Sequence, residues 1–355
     1  MLKNFRYLTS GESHGKCLNG IIDGVPAGFK IDIDEINSDL KRRQGGYGRG
    51  DRMKIETDKA IINSGIRYGE TTGAPFCIEI ANKDYENWKD IITPDYNSQK
   101  DTSKSFTSPR PGHADYAGAI KYSREDLRDI LERSSARRTA IDVAIGNIAK
   151  QVLKEFDITA TSKIISVGGK STEQEIKSII DETKEKGDTL GGKFEVIIKN
   201  LPIGLGSHVQ WDKKLDGIIA QSIMSIPAIK SVEIGLGSEC ANSLGSETHD
   251  ELILENEKII HKTNNAGGIE GGISNGEDIV VKAVMKPIPT MRVPLQTVDL
   301  KNKQQTEAHF ERSDTCAVEA CAVVAEAACA CVILDAFLDK FGGDSLEEIK
   351  RNYQK

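Results

Sequence analysis

The chain has 355 residues and a formal net charge of −7, with 38% hydrophobic and 28% charged residues. This composition is typical of a globular protein that buries a substantial core without help from metals or disulfides. The acidic balance disfavours nucleic acid as a partner, and the absence of a run of 18 or more apolar residues argues against a membrane span.

The first 15 residues contain no apolar stretch and no small-residue cleavage site, so the sequence predicts no secretion signal and a cytoplasmic location. Seven cysteines are present, an odd number without a Cys-x-x-Cys pair. That pattern argues against a disulfide framework and against a zinc site. We therefore expect a reduced protein that holds no metal.

In chain order, residues 1–33 are typical of strands broken by a glycine-rich loop. A helix is predicted over about 34–43 with Asp34 as its N-cap, and the alternating pattern of 55–83 predicts antiparallel strands. The stretch 84–112 is long and irregular, which is usual for a functional or a disordered connection.

Apolar periodicity predicts a second helix over about 124–155, and short β-type runs between glycine pairs dominate 160–310. A last helix is predicted from near Cys316 to Phe341, and it is apolar nearly all round, which indicates burial on most sides. Neither a linker nor a repeat of 20–50 residues interrupts the chain, so we predict one α+β domain over residues 1–355.

The first motif is GESHG at residues 11–15. A histidine among small residues on a loop, here His14, can approach a ligand closely while neighbouring backbone N–H groups face an anion. An exposed turn with a surface histidine is the alternative.

The second motif is a basic loop, in which six positive residues and one negative residue lie between Lys41 and Lys54. Glycines around Arg49 allow its guanidinium group to converge with that of Arg43 on one polyanionic ligand. The alternative is a solvated basic surface.

The third motif is SPRPGHAD at residues 108–115, where two prolines fix the backbone around Arg110 and Gly112 lets His113 face a cavity. A structural loop with a surface histidine is the alternative.

The fourth motif is ERSSARRTA at residues 132–140. Arg133 and Arg137 would share a helix face, and Ser134 and Ser135 would complete an anion cradle at a helix N-terminus. Plain N-capping by serine, with arginines facing solvent, is the alternative.

Two further loops follow, KPIPT at 286–290 and ERSDTC at 311–316. Asp314 lies at the entry to the last helix, near its positive end, where a chemical role, simple capping of the helix, and both together are open. The loop at 264–279 has five glycines but lacks the strand and helix context of a dinucleotide fold, so it predicts close backbone approach to a flat or phosphorylated ligand.

Taken in this order, GESHG, RPGHAD, RSSAR, GGISNG, KPIPT and RSD resemble the pattern of the chorismate synthase family over roughly residues 5–340. Two departures are visible: Arg138 replaces the usual glutamate, and segment 90–107 is particular to this chain. The resemblance implies an internally duplicated sandwich of antiparallel sheets that encloses helices, and a homotetramer.

The implied reaction is the 1,4-anti elimination of phosphate from 5-enolpyruvylshikimate 3-phosphate, with reduced FMN that is not consumed and NADPH needed only to reduce it. The implied catalytic residues are His14, which protonates the flavin or keeps it suitably charged, His113 at the leaving phosphate, and Asp314, which assists hydrogen uptake by the flavin. The implied substrate-binding residues are Ser13, Arg43, Arg49, Arg110, Ser135 and Arg137. The implied FMN-binding residues are Arg133, Ser134, Ser135, Pro227, Ala228, Gly271, Lys286, Pro287, Ile288, Pro289, Thr290 and Arg312.

Three other functions remain open at this point. A flavin reductase or NADPH-dependent oxidoreductase would use the basic loop for a nucleotide phosphate, and net oxidation of NADPH would reveal it. A non-catalytic anion-binding protein is disfavoured by the two histidines and Asp314 together. A nucleic-acid binder is disfavoured by the net charge and by the lack of interleaved aromatic residues.

Overall fold

The computed structural model describes residues 2–50, 57–95, 101–311 and 313–354. A four-stranded antiparallel sheet occupies the first half. Its strands are β1 (Arg6–Ser10), β2 (Cys17–Asp23), β3 (Ala60–Ile62) and β6 (Phe76–Ala81), in the order β1-β2-β6-β3. Between β3 and β6 the chain forms a small hairpin of β4 (Ile66–Arg67) and β5 (Glu70–Thr71).

A second four-stranded antiparallel sheet occupies the other half, with the order β7-β8-β14-β9. Its strands are β7 (Thr159–Val167), β8 (Gly192–Lys199), β9 (Ile229–Ile234) and β14 (Ile279–Met285). Three hairpins complete the strands in the part of the chain that the structure describes: β10 (Leu252–Glu255) with β11 (Lys258–His261), β12 (Ile269–Glu270) with β13 (Ile273–Ser274), and β15 (Gln296–Val298) with β16 (Gln305–Glu307).

Both large sheets follow the same path, because the first, second, fourth and third of their strands in chain order are neighbours. In both halves, hairpins separate the third strand from the fourth. The predicted internal duplication and the α+β class are therefore confirmed.

The helices of the described residues are α1 (Ile33–Gln44), α2 (Asp115–Tyr122), α3 (Arg128–Ser134), α4 (Thr139–Lys154), α5 (Glu173–Lys186), α6 (Leu215–Met224), α7 (Gly245–Thr248), α8 (Val318–Phe341) and α9 (Leu346–Tyr353). Short 3₁₀ turns cover Lys83–Asn87, Ala136–Arg138, Trp211–Lys213 and Gly237–Asn242.

Helices α4 and α8 form the centre of the sandwich. Helix α4 packs on β2 and β6 of the first sheet, α8 packs on β7 and β8 of the second, and the two helices pack on each other. They cross closely at Gly146, where an added Cβ would lie 2.6 Å from the Cα and the carbonyl oxygen of Ala327. A glycine is therefore required at this crossing, because no other residue allows the two backbones to come so near.

Helix α8 is long and apolar enough to cross a membrane by length and composition, although it contains no uninterrupted run of 18 apolar residues. Within its most apolar 18-residue window, 83% is buried inside the molecule. This burial is what the sequence predicted from its nearly all-round apolar surface, and it accounts for the hydropathy of the helix.

Two local predictions were wrong. The N-cap of α1 is Asp32, whose carboxylate accepts hydrogen bonds from the backbone N–H groups of Asp34 and Glu35, so Asp34 lies inside the first turn. The helix predicted over 124–155 is broken, because α3 ends at Ser134 and Ser135 adopts extended backbone before α4 begins.

Candidate active site

A cavity of about 560 Å³ lies at the N-terminal ends of α4 and α8, and both halves of the chain contribute to it. Its volume falls within the range of roughly 300–1,000 Å³ that is usual for small-molecule sites. Most of the residues singled out in the sequence line it: Ser13, His14, Arg43, Arg49, Arg110, His113, Ser134, Ser135, Arg137, Pro227, Ala228, Lys286, Ile288, Pro289, Thr290 and Asp314.

His14 is held from three sides. Its Nδ1 lies 2.9 Å from Oε1 of Glu132, and its backbone N–H donates to Oε2 of the same carboxylate at 2.8 Å. The indole of Trp88 stacks on the imidazole, with ring centroids 3.9 Å apart. The GESHG loop is therefore anchored on the C-terminal part of α3, and His14 is a buried cavity residue rather than part of an exposed turn.

His113 and Arg110 are joined by Asp115, which is fully buried at the start of α2. The carboxylate accepts from Nδ1 of His113 at 2.5 Å, and from Nε and Nη2 of Arg110 at 2.8 and 3.0 Å. Burial opposes ionisation of Asp115, but these hydrogen bonds outweigh it and hold the pKa of the carboxyl below its usual range. Thr290 accepts from Nη1 of Arg110 at 3.1 Å, which ties the RPGHAD loop to KPIPT.

Arg43 and Arg137 share the buried carboxylate of Asp58. Arg137 Nη1 donates to both oxygens of Asp58 at 2.7 and 2.8 Å, and Arg43 Nη1 lies 3.5 Å from Oδ2. Arg43 also donates from Nε to Thr139 Oγ1 at 2.9 Å. Burial, together with the neighbouring guanidinium groups, lowers the pKa of Arg43 to about 10. One carboxylate thus holds two cations at the cavity wall.

Asp314 is bound to the basic loop. Its Oδ1 accepts from the backbone N–H of Gly50 at 2.6 Å, and its Oδ2 lies 3.4 Å from Nε of Arg49. The N-cap of α8 is Ala317, with no side-chain capping hydrogen bond, so the simple capping alternative for Asp314 is wrong. Asp314 instead lines the cavity beside Arg49.

Lys286 begins the KPIPT loop directly after β14. Its Nζ donates to the carbonyl of Gly112, while its backbone N–H donates to the carbonyl of Ala228 at 2.9 Å. Burial and the nearby charge of Lys230 lower the pKa of Lys286. Ala228 has a positive φ of 71°, a backbone conformation that is costly for any residue with a side chain.

The cavity has an apolar wall as well as a charged one. Apolar side chains from the second half of the chain line it, namely those of Ile226, Pro227, Ala228, Met285, Ile288, Ala317, Ala320 and Val324. The guanidinium and imidazole groups described above come mostly from the first half. This division suits a ligand set that combines a flat apolar ring system with several anionic groups.

Several predicted residues are not brought to the cavity wall. Arg133 donates to the carbonyls of Thr9 and Gly11 at 2.9 and 3.1 Å, and it does not share a face with Arg137 because the helix breaks between them. Gly271 lies in the β12–β13 turn, where its carbonyl accepts from Lys214. Pro287 is not among the lining residues, and Arg312 lies outside the described residues.

The two serines of RSSAR end one helix and lead into the next. Ser134 Oγ donates to the carbonyl of Ile130 at 2.7 Å, and Ser135 Oγ accepts from the backbone N–H of Arg137 at 3.3 Å. Ser13 Oγ lies 3.1 Å from Ser135 Oγ. Ser135 therefore caps the short turn Ala136–Arg138 and still lines the cavity. The other half of that alternative, arginines that face solvent, is wrong for Arg137, which is buried.

Sequence reasoning missed the residues that hold the functional groups in place. Glu132 and Asp115 stand inside quoted motifs, and their position next to a histidine or arginine motif was the available signal. Trp88 lies in the irregular stretch that was predicted to be functional or disordered, and Asp58 carries no local signal. A further carboxylate, Glu311, lines the cavity; burial opposes its ionisation, but His309 and Arg128 lower its pKa to about 2.

No three His, Cys, Asp or Glu side chains in the described part of the chain are grouped so as to hold a metal ion. Among the described lining residues, six cations (Arg43, Arg49, Arg110, Arg137, Arg138 and Lys286) stand against two carboxylates, those of Glu311 and Asp314. The cavity wall is thus strongly cationic in a chain that is acidic as a whole.

Known proteins are similar to this chain in both sequence and fold. The family model for chorismate synthase matches residues 5–338. Chorismate synthase of Thermoanaerobacter pseudethanolicus is 57% identical over 349 residues, which cover 98% of this chain and 97% of that protein. Chorismate synthase of Geobacter metallireducens is 50% identical and covers 98% of this chain and 97% of that protein. A crystal structure of chorismate synthase is 40% identical, with a TM-score of 0.80, over 100% of this chain and 97% of that chain.

Proposed function

Because the chain belongs to the chorismate synthase family, we propose that the cavity at the starts of α4 and α8 is the site of that family's reaction. The reaction is the 1,4-anti elimination of phosphate from 5-enolpyruvylshikimate 3-phosphate, which gives chorismate. The chain is thus a phosphate lyase of the shikimate pathway, which leads to the aromatic amino acids. The observation that carries the assignment of the site is the convergence of four predicted arginines and two histidines on one cavity, each with a defined partner.

The arginines bind the anionic groups of the substrate, which are two carboxylates and a phosphate. Arg137 is fixed by Asp58 and Arg110 by Asp115, while Arg43 is fixed by its hydrogen bonds to Thr139 and to the carbonyl of Ala136, so these guanidinium groups are oriented before the substrate arrives. A fixed guanidinium loses little conformational freedom on binding and pairs with carboxylate or phosphate through two parallel hydrogen bonds. Arg49 and the hydroxyls of Ser13 and Ser135 complete this part of the proposal.

His113 acts at the leaving phosphate. Its Nδ1 lies 2.5 Å from Asp115, and Nη2 of Arg110 lies 3.1 Å from Nδ1 and 3.4 Å from Nε2. Nε2 is thus the less tightly held ring atom, and it is the one that donates a proton or stabilises the departing charge in this proposal. Because Asp115 also holds Arg110, the acid and the anion-binding cation are kept at a constant spacing. The loop thus delivers two complementary groups to one part of the substrate.

The cavity also fits a flavin, which we propose to be reduced FMN. Its apolar wall can cover a flat ring system, and Lys286 and the serines of RSSAR offer a cation and hydroxyls for a phosphate. When bound, reduced FMN supplies the electron density that helps an unactivated ring hydrogen to leave. His14 controls protonation on that side of the cavity, and Asp314, held by Gly50 and Arg49, accepts a proton at Oδ2.

The contacts of Arg133, Gly271, Pro287 and Arg312 with FMN remain predictions. NADPH is proposed only as the reductant of the flavin. We also propose one domain over residues 1–355, a cytoplasmic location, and no nucleic-acid or membrane partner.

A homotetramer is the proposed assembly. Leu8 and Ile21 are exposed and paired across β1 and β2 on the outer face of the first sheet, and Leu252, Leu254 and Ile259 are exposed on the β10–β11 hairpin. Apolar surface of this kind is typical of faces that are covered by another subunit. Light scattering across a dilution series measures the assembly directly.

One assay tests the function. Pure protein is mixed anaerobically with reduced FMN and 5-enolpyruvylshikimate 3-phosphate, without nicotinamide, and phosphate and chorismate are measured. We expect both products in equal amounts, with none when oxidised FMN is supplied without a reductant. Oxidation of NADPH without any elimination product would instead favour the oxidoreductase alternative.

A further inference from the structure

Glu132 is the residue that ties the GESHG loop to α3. Its backbone carbonyl accepts from the N–H of Ser13 at 2.8 Å, and its carboxylate accepts from both the backbone and the ring of His14. The side chain is 5% exposed, and Arg128 lies 3.6 Å from its Oε1, which compensates the buried charge. The Glu132 carboxylate does not line the cavity, so any effect it has on a ligand there passes through another residue.

The number of donors and acceptors determines where the ring proton of His14 sits. The backbone N–H of His14 is always a donor, and it occupies Oε2 at 2.8 Å. An ionised carboxylate has acceptors only, so the ring nitrogen that lies 2.9 Å from Oε1 must bring its own proton. The neutral imidazole therefore carries its proton on Nδ1, and Nε2 is an acceptor.

Trp88 fixes the plane of the same ring. Its indole lies 3.9 Å from the imidazole by centroids, with 26° between the planes, and Arg128 lies 5.2 Å from the indole on the same cluster. Small rotations of the imidazole about its χ2 bond would break the stack, and a 180° flip would break the hydrogen bond to Glu132 by placing Cδ2 at that carboxylate. The ring is thus held in one orientation, and Nε2 makes no hydrogen bond to any described residue.

We propose that Glu132 is a positioning residue for the reaction: it holds His14 in the Nδ1-protonated tautomer, so that Nε2 is the atom which exchanges a proton in the cavity. A hydrogen bond to one ring nitrogen generally sets the state of the other. The inference extends the proposed role of His14 and rests on it for its effect on turnover. The tautomer itself is independent of that role and can be measured without substrate or flavin.

The substitution that tests this is Glu132→Gln. A carboxamide has one oxygen for the two donors of His14. The backbone N–H can act only as a donor, whereas the ring nitrogen can be either a donor or an acceptor. Oε2, which serves the backbone N–H at 2.8 Å, also lies 3.1 Å from Nδ1, but Oε1 is nearer to the ring at 2.9 Å. With the amide oxygen in the Oε2 position, the amide NH₂ takes the Oε1 position and faces the ring, so we expect Nδ1 to become an acceptor. The ring proton moves to Nε2, which reverses the tautomer.

The measurement is ¹⁵N NMR of histidine-labelled protein, in which ring shifts and two-bond couplings separate the two tautomers. The His14 signals are identified by their absence from His14→Gln. We expect Nδ1–H in the wild type and Nε2–H in Glu132→Gln. The matched control is Glu311→Gln, which removes a carboxylate from the same arginine, Arg128, but has no contact with His14; it should keep the wild-type tautomer.

The wild-type spectrum is informative by itself, so the inference survives as a testable statement even if Glu132→Gln fails to fold. A wild-type His14 protonated on Nε2, or an unchanged tautomer in folded Glu132→Gln, would overturn it. In the holoenzyme we expect Glu132→Gln to lower kcat by about 10–100-fold with little change in KM, and Glu132→Asp to restore part of it. Normal turnover in His14→Ala would refute the proposed role of His14, while the tautomer result would stand.

Discussion

Asp115→Asn is the most direct test of how the RPGHAD loop is built. Asp115 is fully buried and accepts four hydrogen bonds, one from His113 and three from Arg110, including its backbone N–H. Asparagine keeps the shape but replaces one oxygen by an NH₂ group, so two donors then face a donor. Each lost hydrogen bond to a charged group is worth about 1.5–3 kcal/mol.

The expected loss of unfolding free energy is therefore about 3–5 kcal/mol, the range observed when one partner of a buried ion pair is removed. Urea unfolding followed by circular dichroism at fixed protein concentration measures it. The matched control is Asp129→Asn on the neighbouring helix α3, whose partner Arg124 is half exposed. That pair is worth at most about 1 kcal/mol. A loss in Asp115→Asn that is no larger than the control would refute the reasoning.

The pH dependence of the same variant has a defined sign. Because the pKa of Asp115 is lowered in the folded protein, its stabilising contribution is present above the unfolded value of about 3.9 and is lost as pH falls through the folded pKa. The difference in unfolding free energy between wild type and Asp115→Asn should thus be constant at neutral pH and shrink below about pH 4. A difference that grows with acid would contradict this assignment.

Three further predictions concern turnover, substrate binding and helix packing. His14→Ala and His113→Ala should each lower turnover at least tenfold at saturating reduced FMN, since a general acid contributes about 10²–10⁴-fold. The circular dichroism spectrum should stay unchanged in both variants. Near-normal turnover in both would rule out the two assignments. Arg137→Lys should raise KM for the substrate more than it lowers kcat, because a lysine cannot reproduce the contacts with Asn82 and Asp58 that orient the guanidinium group. Gly146→Ala should lower the free energy of unfolding, measured by urea unfolding, by about 1–3 kcal/mol, because its Cβ would meet the backbone of α8. The control is Gly217→Ala, whose Cβ would have no atom nearer than 3.9 Å; it should raise the free energy of unfolding by about 0.5–1 kcal/mol.

Much of the scaffold was predictable, because burial leaves a strong pattern in the sequence. The stretch from Cys316 to Phe341 is apolar nearly all round, and it is the buried helix α8. The break between α3 and α4 was missed because it interrupts the apolar periodicity for only one residue in extended backbone, Ser135, and serine is compatible with either state.

The functional side chains were predictable in kind, while their partners were not. His14 and His113 stand in glycine- and proline-rich loops, where the residue types themselves indicate chemistry. Glu132 is 118 residues from His14 along the chain, and Asp58 is 79 residues from Arg137. Pairings over such separations depend on how the sheets and helices assemble. The residues on either side of a single buried carboxylate form no sequence pattern that predicts its burial or its partner.

The duplication of the fold extends to the scaffold but not to the reactive groups. The β1–β2 connection carries GESHG, whereas the equivalent β7–β8 connection carries helix α5, which supplies nothing to the cavity. What the two halves do share is the placement of α4 and α8, since both helices begin at the cavity: Arg138 and Thr139 line it from one, and Ala317 and Ala320 from the other. The positive ends of two equivalent helices therefore face the same space, and each favours an anion there. The proposed substrate has three anionic groups, for which both helix ends are available, while the reactive side chains come from loops that the duplication does not repeat.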